Sequence, residues 1–530
     1  MTYTAVTFAP VQSFIQASRK LRDLYGSSLL LSHLARALAD DAQGRGLTVI
    51  SPAEVSSSRG VPNVLVIKGD YRKGHARDTL LATWKQLLQE CRSWLECNLA
   101  GTALEPLDWE RSWGTSWKAC GQHSWEVFHG EGATIQDARR ALAVNKLQRD
   151  WSAPNWTGES STLSSAEAVV RPGMGLVLDP RELDPGAARE ETRAFLVVLR
   201  DKLGEAFAGE NEELSLSELV KRLVTYADVA TRAFATAADP TPNVTELIPE
   251  RFALLSTRGS EEDKPESIIW FMADGDGIGD HLQSLGTRLG EEQALQSFSR
   301  QMRQWAAGLY QKVPRLLNNK AMVVYAGGDD VFGALHESSP GMGDLVRADL
   351  WQWLRIFPEL WQGCGQPALT VSMGLVWADS SVPQREALQH ARDAEASAKF
   401  RGKNRFALRL LYASGNHLEW TCPWEWLTPI LEHYRDREGR TLQTSRDGKP
   451  PSWRHLADDL AWLRGRRAIG DGSTGATAIA ETLLLAYFPD WKLPAPPEPE
   501  RSLDQWLLDL GRVMAGLEKS KGGKLQEVSA

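Results

Sequence analysis

Two short acidic motifs, Asp274-Gly275-Asp276 and Gly327-Gly328-Asp329-Asp330, carry the side chains in this sequence best suited to chemistry. Carboxylates are hard oxygen donors, and a site with few of them suits Mg2+ (or Mn2+), which takes substrate phosphates for the rest of its shell. Asp274 and Asp329 are the expected metal carboxylates. A metal pair held there lowers the pKa of an attacking ribose hydroxyl and offsets the charge on a leaving pyrophosphate. That chemistry is nucleotidyl transfer, and it requires no side-chain nucleophile.

The neighbouring residues fit the same reading. Gly275, Gly277 and Gly279 would let nucleotide phosphates approach backbone amides, while Gly327 and Gly328 would supply positive φ and clear space over a hairpin. Lys399 and Lys403 are candidates to meet a triphosphate, with solvated surface lysines as the alternative. His281, beside Asp280, is either an acid or base or an exposed residue at a helix start. Taken alone, Gly-Gly-Asp-Asp could be an ordinary turn, because glycine and aspartate populate hairpins for structural reasons. Asp-Gly-Asp-Gly could be a calcium loop, but the twelve-position EF-hand pattern fails: no bidentate acid follows at the right place and no helix precedes.

The elements that must position these residues can be read from periodicity. Ser267 to Ala273 is a continuous apolar run that delivers Asp274 at a strand end, and Glu291 to Lys312 has helical spacing. Ala321 to Ala326 and Val331 to Leu335 flank Gly-Gly-Asp-Asp as a hairpin. A helix from Gly343 to Ile356, a strand from Ala368 to Trp377, a helix from Pro383 to Phe400 and a strand from Arg405 to Leu411 follow. This order contains the split βαβ core of ferredoxin-like palm domains. In an antiparallel sheet, Asp274 and Asp329 can then converge.

The N-terminal segment has a similar order. Tyr3 to Phe8 reads as a strand; Pro10 opens a helical pattern that breaks near Gly26 before a second helix, Leu29 to Leu38. Strands Leu47 to Ile50 and Val64 to Ile67 and a helix Thr79 to Leu95 follow, so this segment could be a degenerate copy of the palm without a metal motif. The fold class is α+β, with two ferredoxin-like palm domains, a helical linker and a C-terminal helical bundle. The expected domains are 1–132, 133–262, 263–413 and 414–530. Within the linker, Ser152 to Ser165, Asp179 to Gly186 and Asp239 to Pro242 read as breaks. Helices are expected at Trp424 to Arg435, Trp453 to Arg464, Thr474 to Tyr487 and Leu503 to Leu517, and Glu518 to Ala530 as a frayed tail.

A chain of 530 residues exceeds a single core, and 42% hydrophobic with 24% charged residues is ordinary for a globular protein. The net charge of -8 excludes a wholly basic nucleic-acid sleeve and leaves RNA contact local or shared with partners. Five cysteines without a C-x-x-C pair point to reduced thiols and no zinc site. No signal peptide or membrane-spanning run is present, so a cytoplasmic protein with no membrane partner is expected. Of the 21 tryptophans, many crowd the segment from Trp84 to Trp156, as packing residues rather than base-stacking platforms.

With those residues in place, the sequence resembles the large subunit of type III CRISPR RNA-guided effector complexes, the Cas-ten family, and looks most like its Cmr-type branch. Phe8-Ala9-Pro10-Val11-Gln12-Ser13-Phe14-Ile15 and Arg19 to Ser27 are similar to that family's first-palm signature, and the two acidic motifs match its second palm. Ala391 to Arg405, ending Gly402-Lys403-Asn404-Arg405, resembles the helix and turn before that palm's last strand. The resemblance implies catalytic Asp329 and Asp330, with Asp276 and Asp330 supporting Asp274 and Asp329 on the metal. It also implies that ATP is joined into cyclic oligoadenylate when guide RNA pairs with target RNA, among other subunits of the complex. Two departures accompany it: the chain starts directly at the first palm without a His-Asp dipeptide, so DNA cleavage is not expected, and Asn155 to Ser165 lacks the cysteines that relatives often carry. The alternatives are a nucleotide- or RNA-binding scaffold of the same complex, and a stand-alone enzyme of the diguanylate cyclase type.

Overall fold

The computed structural model describes residues 2–53, 60–105, 109–148, 155–156, 158–177, 179, 181–204, 207–209, 212–235, 267–336, 347–379, 381–443, 449–469, 474–492 and 501–519. Trp151, the Asp239 to Pro242 break, the expected helix start at Gly343 and nearly all of the C-terminal tail lie outside them. The chain divides into two compact units, 1–262 with 282–307, and 263–281 with 308–530. Each contains one sheet.

The first unit runs β1 (Tyr3–Ala9), α1 (Gln12–Gln16), α2 (Leu21–Gly44), β2 (Thr48–Ser51), β3 (Leu65–Lys68), α3 (Lys73–Leu99), α4 (Gly114–His123), β4 (Glu126–Gly132), α5 (Ile135–Leu147), α6 (Pro185–Leu203), α7 (Leu216–Leu223) and α8 (Ala227–Ala233). Its sheet has the order β2-β3-β1-β4, with every pairing antiparallel. Strand β4 goes beyond the sequence reading. The break expected near Gly26 is not there: α2 is continuous, and Gly26 instead lets α7 pack closely, since a Cβ would lie 1.9 Å from the Lys221 carbonyl oxygen. Asp23 accepts hydrogen bonds from the backbone N–H of Arg19 (2.8 Å) and Lys20 (2.9 Å), which satisfies free donors at the start of α2. It also accepts from Nε (2.6 Å) and Nη2 (3.1 Å) of the fully buried Arg222. Trp84, Trp113, Trp117 and Trp125 are buried in this unit as packing residues.

The second sheet repeats the topology. From residue 267 the chain runs β5 (Ser267–Gly275), α9 (Ile278–Leu289), α10 (Glu291–Leu316), β6 (Ala321–Gly327), β7 (Asp330–Leu335), α11 (Arg347–Gln362), β8 (Val371–Asp379), α12 (Gln384–Phe400), β9 (Arg405–Leu411) and β10 (His417–Pro423), with residues 282–307 of α9 and α10 counted in the first unit. The order is β10-β9-β8-β5-β7-β6, and its β8-β5-β7-β6 part matches β4-β1-β3-β2 of the first unit, strand for strand. Both are the split βαβ arrangement, so the α+β fold with two palm domains holds. Helix α12 makes the crossover to the parallel neighbour β9, as a parallel pair requires.

Side chains alternate faces along β5, so Met272, Asp274 and their partners Gly374 and Ser372 share one face while Phe271 points to the other. Phe271 meets Trp353 of α11 at 4.6 Å between ring centroids. Gly374 lies against α12, where a Cβ would come 2.2 Å from the Glu395 nitrogen and 2.3 Å from the Ala391 oxygen. Ala394, Ala398 and Ala407 fill that contact with small side chains. After β10, which the sequence reading placed in a helical region, come α13 (Leu427–His433), α14 (Arg454–Gly465), α15 (Thr474–Tyr487) and α16 (Leu503–Lys519). Helix α16 closes over the β10 edge, and Trp506 Nε1 donates to the Thr421 carbonyl at 2.8 Å. Among the described residues, no helix is long and apolar enough to cross a membrane.

Candidate active site

The β6–β7 hairpin closes at the Gly327–Asp330 pair and leaves Gly328 and Asp329 as its two-residue loop. Gly328 has φ +70° at the first loop position, which glycine adopts without steric cost. One strand over, Ala273 pairs with Val331, so the next step of the ladder sets Asp274 across from Asp330. Gly275 measures how tightly the motifs meet: a Cβ there would be 3.2 Å from Asp329 Cβ, 3.1 Å from Trp361 and 2.7 Å from Ile278. This glycine serves the approach of Asp329. Gly277, with φ +69°, and Gly279 have open space around them.

Asp276 is buried and already occupied: it accepts hydrogen bonds from Thr370 Oγ1 (2.8 Å), Ser372 Oγ (2.7 Å) and the Asn404 backbone N–H (3.0 Å). It thereby ties the end of β5 to the start of β8 and to the turn before β9. In that turn Gly402, Lys403 and Asn404 all have positive φ, +123°, +60° and +48°. Lys403 is exposed there, and Lys399 reaches in from the last turn of α12 to pair with Asp274. His281 Nε2 is 2.8 Å from Gln366 Oε1.

Glu395 is the site residue that the sequence reading missed. It stands one helical turn before Lys399 and pairs with it at 2.8 Å. Acid and base four apart on one helix face, N-terminal to the Gly-Lys-Asn turn, were the available signal. Burial, reinforced by Asp276, pushes the Glu395 carboxyl up to about 7. Asp330 is exposed to solvent, yet the protein packed around its carboxyl, with the charges of Asp329 and Glu395, pushes it up to about 7 as well. Burial also raises Asp329, and burial followed by the nearby Lys403 lowers Lys399. These carboxyls ionise at a cost that a cation would offset, and their oxygens are the hard donors that Mg2+ or Mn2+ takes. Among the described residues, no group of three or more acidic, histidine or cysteine side chains by itself encloses a metal.

Residues 268–407 match the family model of the Cas10/Cmr2 second palm domain, and residues 3–54 match that of the N-terminal part of CRISPR-associated protein Cmr2. Over those residues the chain is similar to Cas10/Cmr2 proteins. The second match covers β1, α1, α2 and β2, so segments of both palms are represented. Among solved structures, a type III-B Cmr-beta in the apo state is similar over 98% of this chain and 82% of its own, with 11% identity and a TM-score of 0.58. Csm1 from T. onnurineus aligns over 97% of this chain and 69% of its own, at 13% identity and a TM-score of 0.44. A Csm1–Csm4 cassette solved with cA4 aligns over the same shares, at 14% identity and a TM-score of 0.46. No curated protein sequence matches this chain.

Proposed function

We infer that the second palm joins ATP molecules by metal-dependent nucleotidyl transfer, making cyclic oligoadenylate inside a type III effector complex when guide RNA pairs with target RNA. The observation that carries this reading is the meeting of the two acidic motifs at Gly275, with Asp274 at one strand end and Asp329 and Asp330 at the adjoining hairpin. Asp274 and Asp329 would hold the divalent metal, and Asp330 would add its charge. When bound, that metal acidifies a ribose 3′ hydroxyl and stabilises the charge on the departing pyrophosphate.

The chain's own residues do the rest. Asp276 fixes the frame that aligns the end of β5 with the Gly402 to Asn404 turn. Lys399 and Lys403 offer positive charge for a triphosphate, and Gly277, Gly279 and Gly328 leave the strand ends open to it. The preference for ATP, the ring closure, the RNA control and the partner subunits come from the family resemblance, and a soluble cytoplasmic setting fits them.

The test is to assemble the effector complex, supply ATP and Mg2+ with matching or non-matching RNA, and identify the products by mass spectrometry. Cyclic oligoadenylate is expected only with matching RNA, and not from the Asp329→Ala, Asp330→Ala variant. No nucleotide product under any condition would make the chain a scaffold, and a dinucleotide from GTP would make it a cyclase of the other type.

A further inference from the structure

Lys399 Nζ sits between two carboxylates, paired with Asp274 on one side and, at 2.8 Å, with Glu395 on the other. The lysine side chain is 31% exposed, and those of Asp274 and Glu395 are 28% and 20% exposed, so the three charges are partly shielded from water and interact more strongly than a surface pair. The base of this arrangement is fixed, because Gly374 brings the α12 backbone at Glu395 into contact with β8. An ammonium on a four-carbon stem is a compact charge that can move between neighbouring oxygens. A divalent cation on Asp274 would need the carboxylate that Lys399 now occupies, and the two positive charges would repel each other.

We propose that Lys399 is a placeholder cation. It neutralises Asp274 in the nucleotide-free palm, gives that carboxylate up to the divalent metal and moves to the triphosphate, while Glu395 is the positioning residue that keeps the ammonium within reach of both. This rests on the reading of Asp274 as a metal carboxylate. Metal alone must displace Lys399, whereas metal with nucleotide supplies the lysine with a new partner, so the two ligands bind cooperatively. Without Glu395, Lys399 has Asp274 as its remaining carboxylate in this arrangement and competes harder for it.

The experiment titrates Mn2+ into the full chain and reads free ion by electron paramagnetic resonance, with and without a non-hydrolysable ATP analogue. Lys399→Met is expected to bind Mn2+ alone severalfold more tightly than the unmodified chain and to lose most of the strengthening that the analogue gives. Glu395→Gln is expected to bind Mn2+ alone severalfold more weakly, and this effect should vanish in the double variant, which isolates the coupling between the two residues. Lys399→Gln replaces Lys399→Met if the latter does not fold. Unchanged or weaker Mn2+ binding on loss of Lys399 overturns the proposal. So does a Glu395→Gln effect that persists without Lys399, which would make Glu395 a direct ligand. Asp274→Asn separates the two levels: if it leaves Mn2+ affinity intact, the metal reading fails and takes the placeholder with it. If it abolishes binding while loss of Lys399 changes nothing, only the placeholder fails.

Discussion

Asp276 accepts three hydrogen bonds, two from hydroxyls on or beside β8 and one from a backbone N–H in the turn before β9. An asparagine there would keep the shape but remove the charge and present an amide to donors. Hydrogen bonds to a charged group are worth about 1.5–3 kcal/mol each, and a buried mismatch adds its own penalty. Asp276→Asn is therefore expected to lower stability by about 1–3 kcal/mol, read from urea denaturation. It should also cut product formation far more than Mn2+ affinity. Equal losses in both would place Asp276 on the metal itself. The Asp-Gly-Asp spacing marked this residue in the sequence. Its partners Thr370 and Ser372 carry no such mark, because the hydroxyls matter only once β8 lies beside β5.

At the scale of elements, α12 is held against the sheet by Gly374 and a stripe of alanines. Gly374→Val would put a side chain into the Glu395 backbone, and overpacking of this kind costs about 1–3 kcal/mol. The expected result is that loss of stability in urea, together with weaker ATP-analogue binding, as Lys399 and Glu395 move with the helix. A variant with full stability and binding would show that α12 can lift freely. Long periodic elements such as α10, α12 and α15 were legible in the sequence because their apolar spacing is strong. Strand β4 was not: Glu126 to Gly132 contains two glycines and three polar side chains, and Gly130 is there so that α5 can lie on it, with a Cβ position 2.2 Å from the Leu142 nitrogen. Strand β10 was hidden likewise, since its cover, α16, lies far along the chain.

The whole molecule joins two units whose charges respond to pH in opposite senses. In the first, Arg222 lies between Asp23 and Glu212, and although burial opposes ionisation, the charges of Arg222 and Lys20 bring the Glu212 carboxyl down to about 2. Its folded value lies below the unfolded 4.5, so its contribution is complete above that pH and is lost as the pH falls towards 2. In the second unit Asp330 and Glu395 titrate at about 7, above their unfolded values of 3.8 and 4.5. Their contribution is complete at acid pH and is lost as the pH rises through about 7. Denaturation curves from acid to neutral pH without metal should therefore show Glu212→Gln flattening the acid side, and Asp330→Asn raising stability at neutral pH. Unchanged profiles in both variants would refute the assignment.

The sequence by itself determined the α+β class, the order of the palm elements, the hairpin that carries Asp329 and the family resemblance. The first three follow from local periodicity and turn chemistry, which adjacent residues set between them, and the resemblance rests on the identities of the motif residues. Tertiary structure alone decided that the β5 face bearing Asp274 is the one α12 covers, and so that Lys399 and Glu395 belong to the site. It also decided that Gly275 makes room for Asp329, and that Gly26 joins two helices rather than breaking one. Those outcomes depend on which surfaces meet, and the packing of distant segments, unlike a helical period or a two-residue turn, leaves no local signature.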